Sequence, residues 1–340
     1  MIFSAKFISL GALLSADPVC AASYSQTKVY DSTNFFEGFT FTSDPDPSSG
    51  FVEYVDPETV KSAGMAKISN GAVYLGANYV DKSPNGRSST RVRSKDVFTT
   101  GFLVADITHM LAGIGKGGSC GIWPVYWTSG PDWPNSGEIN VIEGVNGQKS
   151  NAVTLHTAKG CNMDVSGSES TANQTSADCE DSDAGCSQGT TSANNYGAAF
   201  NANGGGVYVT EWASLSISVW SFTRGSAAAN AVINAGAADL DVAEIDAPWL
   251  ASRAIPAISP RDSKATTSFS TPTSVEAVST LKIAVGTHSL TSTGASREFL
   301  KDETCASLAD TCDAWAANNP DAFEDAYWLV NSVNIYARND

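Results

Sequence analysis

The apolar residues of this chain come in runs of strand length, parted by glycine, proline, serine and aspartate, and helical periodicity is scarce. That pattern limits the fold more than any other feature. Ala72-Val73-Tyr74-Leu75-Gly76, Gly101-Phe102-Leu103-Val104-Ala105-Asp106-Ile107 and Ala152-Val153-Thr154-Leu155-His156-Thr157 read as strands. So do Gly204 to Trp212 and Leu215 to Trp220, the latter alternating cleanly, and Tyr196 to Asn201 is read as continuing the β pattern. Ser89 to Ser94 also alternates, so that one face carries Arg91 and Arg93. Asp44-Pro45-Asp46-Pro47-Ser48-Ser49-Gly50 is turn chemistry. Tyr327 to Tyr336 reads as a closing strand. Many short strands at turn-separated spacing predict an all-β protein, a β-sandwich or jelly roll. No repeat and no second domain is apparent.

Charge and the N-terminus set the expected surroundings. With 36 acids against 20 bases the formal charge is −16, which argues against nucleic acid and against an anionic membrane as partners. Lys6, the apolar run Phe7 to Leu14 and a small-residue site at Val19-Cys20-Ala21 or Cys20-Ala21-Ala22 read as a signal peptide over 1–21. The run falls well short of the roughly 20 residues that span a bilayer. Residues 22–340 are then expected to form one secreted domain, monomeric and without a cofactor.

Removal of Cys20 from the seven cysteines leaves six: 120, 161, 179, 186, 305 and 312. An even number in an exported chain implies disulfides, with the pairing left open by sequence. A zinc site is disfavoured, because no CxxC occurs and the chain holds only three histidines. The glycine-rich stretch Ala112 to Ser119 lacks the Lys-Ser/Thr that would close a phosphate loop and reads as surface loop. Asn173-Gln174-Thr175 is the one N-glycosylation sequon.

The chemistry concentrates in Gly137-Glu138-Ile139-Asn140-Val141-Ile142-Glu143-Gly144-Val145-Asn146. Side chains alternate faces along a strand, so Glu138 and Asn140 point the same way and Glu143 the other. One inserted residue, a β-bulge, would return Glu143 to the face of Glu138. The span would then behave as four residues, about 13 Å, and inward-leaning side chains would bring the carboxyls to roughly the 5–5.5 Å of a retaining glycosidase. Two close carboxylates resist joint ionisation, which raises one pKa and supplies an acid. Trp123, Trp127 and Trp133 precede this stretch and are candidates to stack on sugar faces, with burial in the core as the alternative for each. Trp133, set between Pro131 and Pro134, is the one most expected to be exposed.

Trp123-Pro124, Trp127-Thr128, Gly130-Pro131-Asp132-Trp133-Pro134, Gly137 to Asn146 and Leu155-His156-Thr157 together resemble glycoside hydrolase family 16, more narrowly its fungal laminarinase-like endo-β-1,3(4)-glucanases. Asn34-Phe35-Phe36, Gly86-Arg87 with Arg91, Cys120, Gly185-Cys186 and Asn319 to Tyr336 extend the likeness over about 30–224 and 305–337. The resemblance implies a concanavalin A-like jelly roll with a concave cleft and a retaining mechanism acting on β-glucan. It implies Glu138 as nucleophile, Glu143 as acid/base, His156 in contact with the acid/base, and Trp123, Trp127, Trp133 and Arg91 on the glucan.

Two departures stand out. The family's motif has aspartate where this chain has Asn140, which keeps hydrogen-bonding capacity but carries no charge, so slower turnover is expected. Between Trp220 and Cys305 the family's Cys-Gly-Asp-Trp-Ala-Gly-like segment is missing, and Leu281 to Thr291 stands there after a Ser/Thr-rich run. Its loss would remove a cleft tryptophan and a possible partner for Cys120. A transglycosylase of the same fold and a catalytically weakened glucan-binding protein are the alternative readings.

Overall fold

A computed structural model describes residues 23–113, 118–166, 168, 170–180, 184–213, 216–235, 240–241, 250–256, 280–287 and 299–339. The expected signal segment, the middle of the glycine-rich loop, Thr291 and most of the Ser/Thr-rich run lie outside them.

The strand-length runs assemble into two large antiparallel sheets. One has eight strands in the order Asn173–Ser176, Cys186–Gly189, Ala152–His156, Glu138–Glu143, Ile122–Ser129, Thr280–Thr287, Arg91–Ser94 and Phe39–Phe41. The other has ten and is centred on Gly101–His109, flanked by Gly206–Trp212 and the long closing strand Tyr327–Arg338. Tyr327–Arg338 pairs with Ser23–Asp31 through one part of its length and with Ala72–Gly76 through another, which splits that edge of the sheet. A two-stranded parallel pair, Val52–Tyr54 with Arg87–Ser89, stands apart from both sheets.

The core lies between the sheets. Ile139, Val141, Ile142, Val153 and Leu155 from the first sheet share one buried cluster with Leu103, Ala105, Ile107, Tyr208, Trp328 and Val330 from the second. Burial of such side chains is worth roughly 1.5–3 kcal/mol each and is the main force holding the layers face to face. On the far side of the ten-stranded sheet a second cluster forms from Phe102, Val104, Val209, Trp220 and Tyr336, covered by Ala229 and Val232 of helix Ala227–Ala235. Ser226 caps that helix through the Ala229 amide at 3.1 Å. The all-β expectation therefore holds, and the alanine-rich start of the divergent region becomes the helix that covers the sandwich.

Three local expectations are corrected. Tyr196 to Asn201 is not strand: after a short 3-10 turn at Ala193–Asn195, Gly197 takes φ 61° and opens helix Gly197–Ala202. Its Gly-Ala-Ala-Phe run offers no β-branched residue to favour extension. Ser89 to Ser94 is not one strand either. It breaks at Thr90, whose hydroxyl turns inward to the carbonyl of Gly76 at 2.9 Å. Finally, the six cysteines form two bridges, Cys120–Cys305 and Cys179–Cys186, while Cys161 and Cys312 are buried thiols. Cys120 thus has a partner although the family's cysteine-bearing segment is missing.

Candidate active site

Strand Glu138–Glu143 carries the bulge that its sequence requires. Against the strand on one side, Asn140 lies opposite Thr154 and Glu143 opposite Ala152, three steps along one chain for two along the other. Against the strand on the other side, Asn140 faces Trp127 and Ile142 faces Tyr126. One extra residue is therefore accommodated on both flanks at once. Val141 and Ile142 both go into the core, and Glu138, Asn140 and Glu143 share the face that points away from it. The bulge would leave backbone groups unpaired. The side chain of Asn151 takes two of them, accepting from the Glu143 amide at 2.9 Å and donating to the Val141 carbonyl at 2.7 Å.

The two glutamates sit in unlike surroundings. Burial, and next the negative charge of Glu138, push the carboxyl of Glu143 up to about 7. Hydrogen bonds from Thr154, Trp123 and Asn140 oppose the rise. Asn140 is 2% exposed, and its Oδ1 has no hydrogen-bond partner among the described residues. Its amide nitrogen is thus committed to Glu143, where an ionised aspartate would have no proton to offer. Beyond Glu143 the chain turns at Gly144, where a Cβ would stand 2.5 Å from both the Tyr196 hydroxyl and the Gln148 amide nitrogen. Tyr196 and Gln148 therefore close tightly over the backbone just past the acid.

Register places His156 directly opposite Glu138. The backbone of Gly185 packs against it with φ +60°, and a Cβ there would meet the Leu155 carbonyl at 2.6 Å and His156 Cε1 at 2.9 Å. The ring of Trp133 lies 6.4 Å from the His156 ring and is 46% exposed, as its loop position implied. Trp127, opposite Asn140, is largely buried, and Trp123 is half-buried.

Arg91 is held from three directions. Its guanidinium carbon lies 5.2 Å from both the Tyr54 and Trp127 ring centres, and Asp46 pairs with it at 3.4 Å. Asp46 also ties the turn 46–50, accepting from the Gly50 amide at 2.8 Å. Tyr54 and Asp46 escaped the sequence reading. Tyr54 belongs to a three-residue strand too short to show a pattern, and Asp46 is one of several turn acids.

The divergent run enters this sheet as strand Thr280–Thr287, between Ile122–Ser129 and Arg91–Ser94. Its register sets Lys282 opposite Trp127, Ala284 opposite Val125 and Gly286 opposite Trp123. Positions level with the tryptophans are thus occupied by residues without an aromatic ring. No group of three His, Cys, Asp or Glu side chains among the described residues is placed to hold a metal ion.

An antiparallel two-sheet sandwich with paired glutamates across a bulged strand defines the class, and comparison with known proteins gives the family. The chain belongs to glycoside hydrolase family 16: the model of the XgeA-like catalytic domain of that family matches residues 39–336. It is 33% identical to a probable endo-1,3(4)-beta-glucanase of Aspergillus fumigatus over 98% of this chain and 50% of that one. It is 32% identical to a probable glycosidase of Schizosaccharomyces pombe over 93% and 70% of the two chains. It spans about half the length of the first of these relatives. Laminarinase 16A from Phanerochaete chrysosporium, solved with two β-glucans in donor and acceptor sites, superposes with a TM-score of 0.79 at 32% identity, covering 93% of this chain and all of that one. An elongating family 16 β-1,3-glucosyltransferase superposes at 0.75 and 31%, with the same coverage.

Proposed function

We propose that this chain is an endo-β-1,3(4)-glucanase that acts with retention, with Glu138 as nucleophile and Glu143 as acid/base. The observation that carries the reading is the bulge, which brings both carboxyl groups to one face while burial and Glu138 keep Glu143 protonated toward neutral pH. In the first step a Glu138 oxygen bonds to the anomeric carbon, the glycosidic C–O bond breaks, and the Glu143 proton goes to the departing oxygen. The resulting ester removes the charge of Glu138, one of the two causes of the high Glu143 pKa. Glu143 is then the stronger acid and remains ionised. It takes a proton from water as that water attacks the same carbon, and Glu138 is released as carboxylate.

The names of the relatives and the bound glucans of the laminarinase support a β-1,3 or mixed-linkage glucan as substrate. Trp127, Trp133, Trp123 and Arg91, with Tyr54 behind Arg91, are the side chains we assign to it. His156 completes the site beside Glu138. We further propose that residues 22–340 act as one domain, exported through the signal segment, and that Asn173, exposed on an edge strand, is glycosylated. The likeness to a glucosyltransferase favours a second reading, in which a sugar hydroxyl replaces water in the second step.

Release of reducing ends from laminarin and lichenan by the wild-type chain and by Glu138→Gln tests the proposal. Turnover in the first and its loss in the second is expected. Products longer than the starting oligosaccharide would favour the second reading, and glucan binding with no product of either kind would reject both.

A further inference from the structure

A bulge is held in place only if the backbone groups it frees find partners, since a buried polar group left without one is destabilising. Around Glu143 that duty falls on one side chain. Asn151 is 1% exposed. Its Oδ1 accepts from the Glu143 amide at 2.9 Å and its Nδ2 donates to the Val141 carbonyl at 2.7 Å, so a single carboxamide spans the two sides of the inserted residue. Both contacts need an acceptor and a donor on one planar group of this length. Among side chains at this site only an asparagine-sized amide supplies that pair.

Asn151 is itself fixed. Its backbone amide donates to the Asn195 side-chain oxygen at 3.3 Å, and its carbonyl accepts from the Thr190 amide at 3.2 Å. Asn195 Nδ2 in turn donates to the Thr190 hydroxyl at 3.2 Å. Three buried polar residues thus form a closed set whose outward end is the Glu143 backbone. Gln148 adds a weaker restraint from the other side, donating to the Glu143 carbonyl at 3.3 Å. None of these groups reaches the carboxyl of Glu143. Their action is on where its Cα stands and which way its side chain departs.

We propose that Asn151 is a positioning residue that splints the bulge and thereby aims the Glu143 carboxyl at the leaving oxygen of the substrate. The inference rests on the acid/base reading of Glu143 given above. Proton delivery is sharply distance-dependent, and a displacement of about 1 Å can slow a reaction some 10²-fold. Loss of the splint should therefore harm the reaction in proportion to how much acid help the leaving group needs.

The test measures kcat/KM of the full chain on laminarin, whose leaving group is a sugar alkoxide, and on a dinitrophenyl laminarioside, whose leaving group departs without a proton. Asn151→Ala is expected to lower kcat/KM on laminarin about 10²-fold and on the aryl substrate less than about fivefold. Asn151→Asp keeps an acceptor for the Glu143 amide but lacks the donor to Val141, so it should show the same preference in smaller degree and serves if the alanine variant does not fold. Val153→Ala, a core change in the strand that begins just after Asn151, should slow both substrates by similar factors if it slows either. Glu143→Gln, run in parallel, reports on the acid/base reading itself and should show the largest difference between substrates. Equal losses on the two substrates in both Asn151 variants, with Glu143→Gln discriminating, would overturn the positioning role alone. No discrimination by Glu143→Gln would overturn the acid/base reading, and the proposal with it.

Discussion

Glu143 stands opposite Ala152 where an unbroken ladder would have put Ile142. That one-residue shift lets a strand present two glutamates outward while sending two neighbouring aliphatic residues, Val141 and Ile142, into the core. Placement of Glu143 and integrity of the core are set by the same irregularity.

The raised carboxyl of Glu143 makes stability fall with pH. Its ordinary value is 4.5 and its folded value about 7, so between these the native chain holds a proton that the unfolded chain has lost. Stability therefore declines as pH rises through that window and levels off above it. Allowing for partial exposure, the effect is on the order of 2 kcal/mol. Glu143→Gln should abolish this dependence and melt a few degrees higher than wild type at pH 8. Superimposable Tm–pH curves for the two proteins would contradict it. The same group should give kcat/KM on laminarin an alkaline limb with a midpoint near 7.

Asn140→Asp tests the departure at the centre of the motif. An ionised aspartate withdraws the amide proton now given to Glu143 and adds a negative charge beside it. Both favour the protonated acid. The alkaline limb should move to higher pH, so turnover on laminarin should rise by about twofold at pH 7, where Glu143 is half protonated, and by more at higher pH. Unchanged turnover would show that the asparagine does not limit the reaction.

Arg91 tests the flat stack. Lysine keeps the charge and the pairing with Asp46 but has no plane to lie between Tyr54 and Trp127. Arg91→Lys loses about 1 kcal/mol of cation–π contact within the fold, which should lower Tm by a few degrees, and leaves the cation unaligned, so KM on laminarin should rise with kcat nearly unchanged in steady-state assays. A fall in kcat at constant KM would place Arg91 in the chemistry instead.

The Cys120–Cys305 bridge should matter for folding. It closes a separation of 185 residues, for which the chain-entropy view gives about 5 kcal/mol. Cys120→Ser with Cys305→Ser should shift the urea midpoint down accordingly, whereas removal of the Cys179–Cys186 bridge, with a separation of 7, should shift it less.

Much of this was legible in the sequence, because strand parity is a strict rule. Spacing alone required a bulge between Glu138 and Glu143, and the proline-bracketed loop announced an exposed Trp133. What stayed hidden depends on contacts between distant segments. Nothing near Asn151 marks it as partner of Val141 and Glu143. Tyr54 reaches Arg91 from a separate parallel pair. That His156 lies directly across from Glu138 follows from the register of Ala152–His156, which cannot be counted across the bulge from one strand alone. The Tyr196 run looked extended because an aromatic next to glycine suits a strand as well as a helix start. Leu281 to Thr287 looked foreign by composition, yet its backbone completes the sheet.

The long bridge also divides the molecule in a way that pairing diagrams hide. Asp302 caps helix Glu303–Ala306 through the amides of Thr304 and Cys305 and takes the Gly147 amide at 3.1 Å, so the bridge is anchored beside the loop that follows Glu143. The strands bearing Trp127, both glutamates and His156 all lie between Cys120 and Cys305, inside one covalent ring, whereas Arg91 and Tyr54 lie outside it. A single protease cut within that ring would leave its two pieces tethered by the bridge, whereas after a cut between Arg91 and Cys120 only non-covalent contacts would hold the Arg91 side in place.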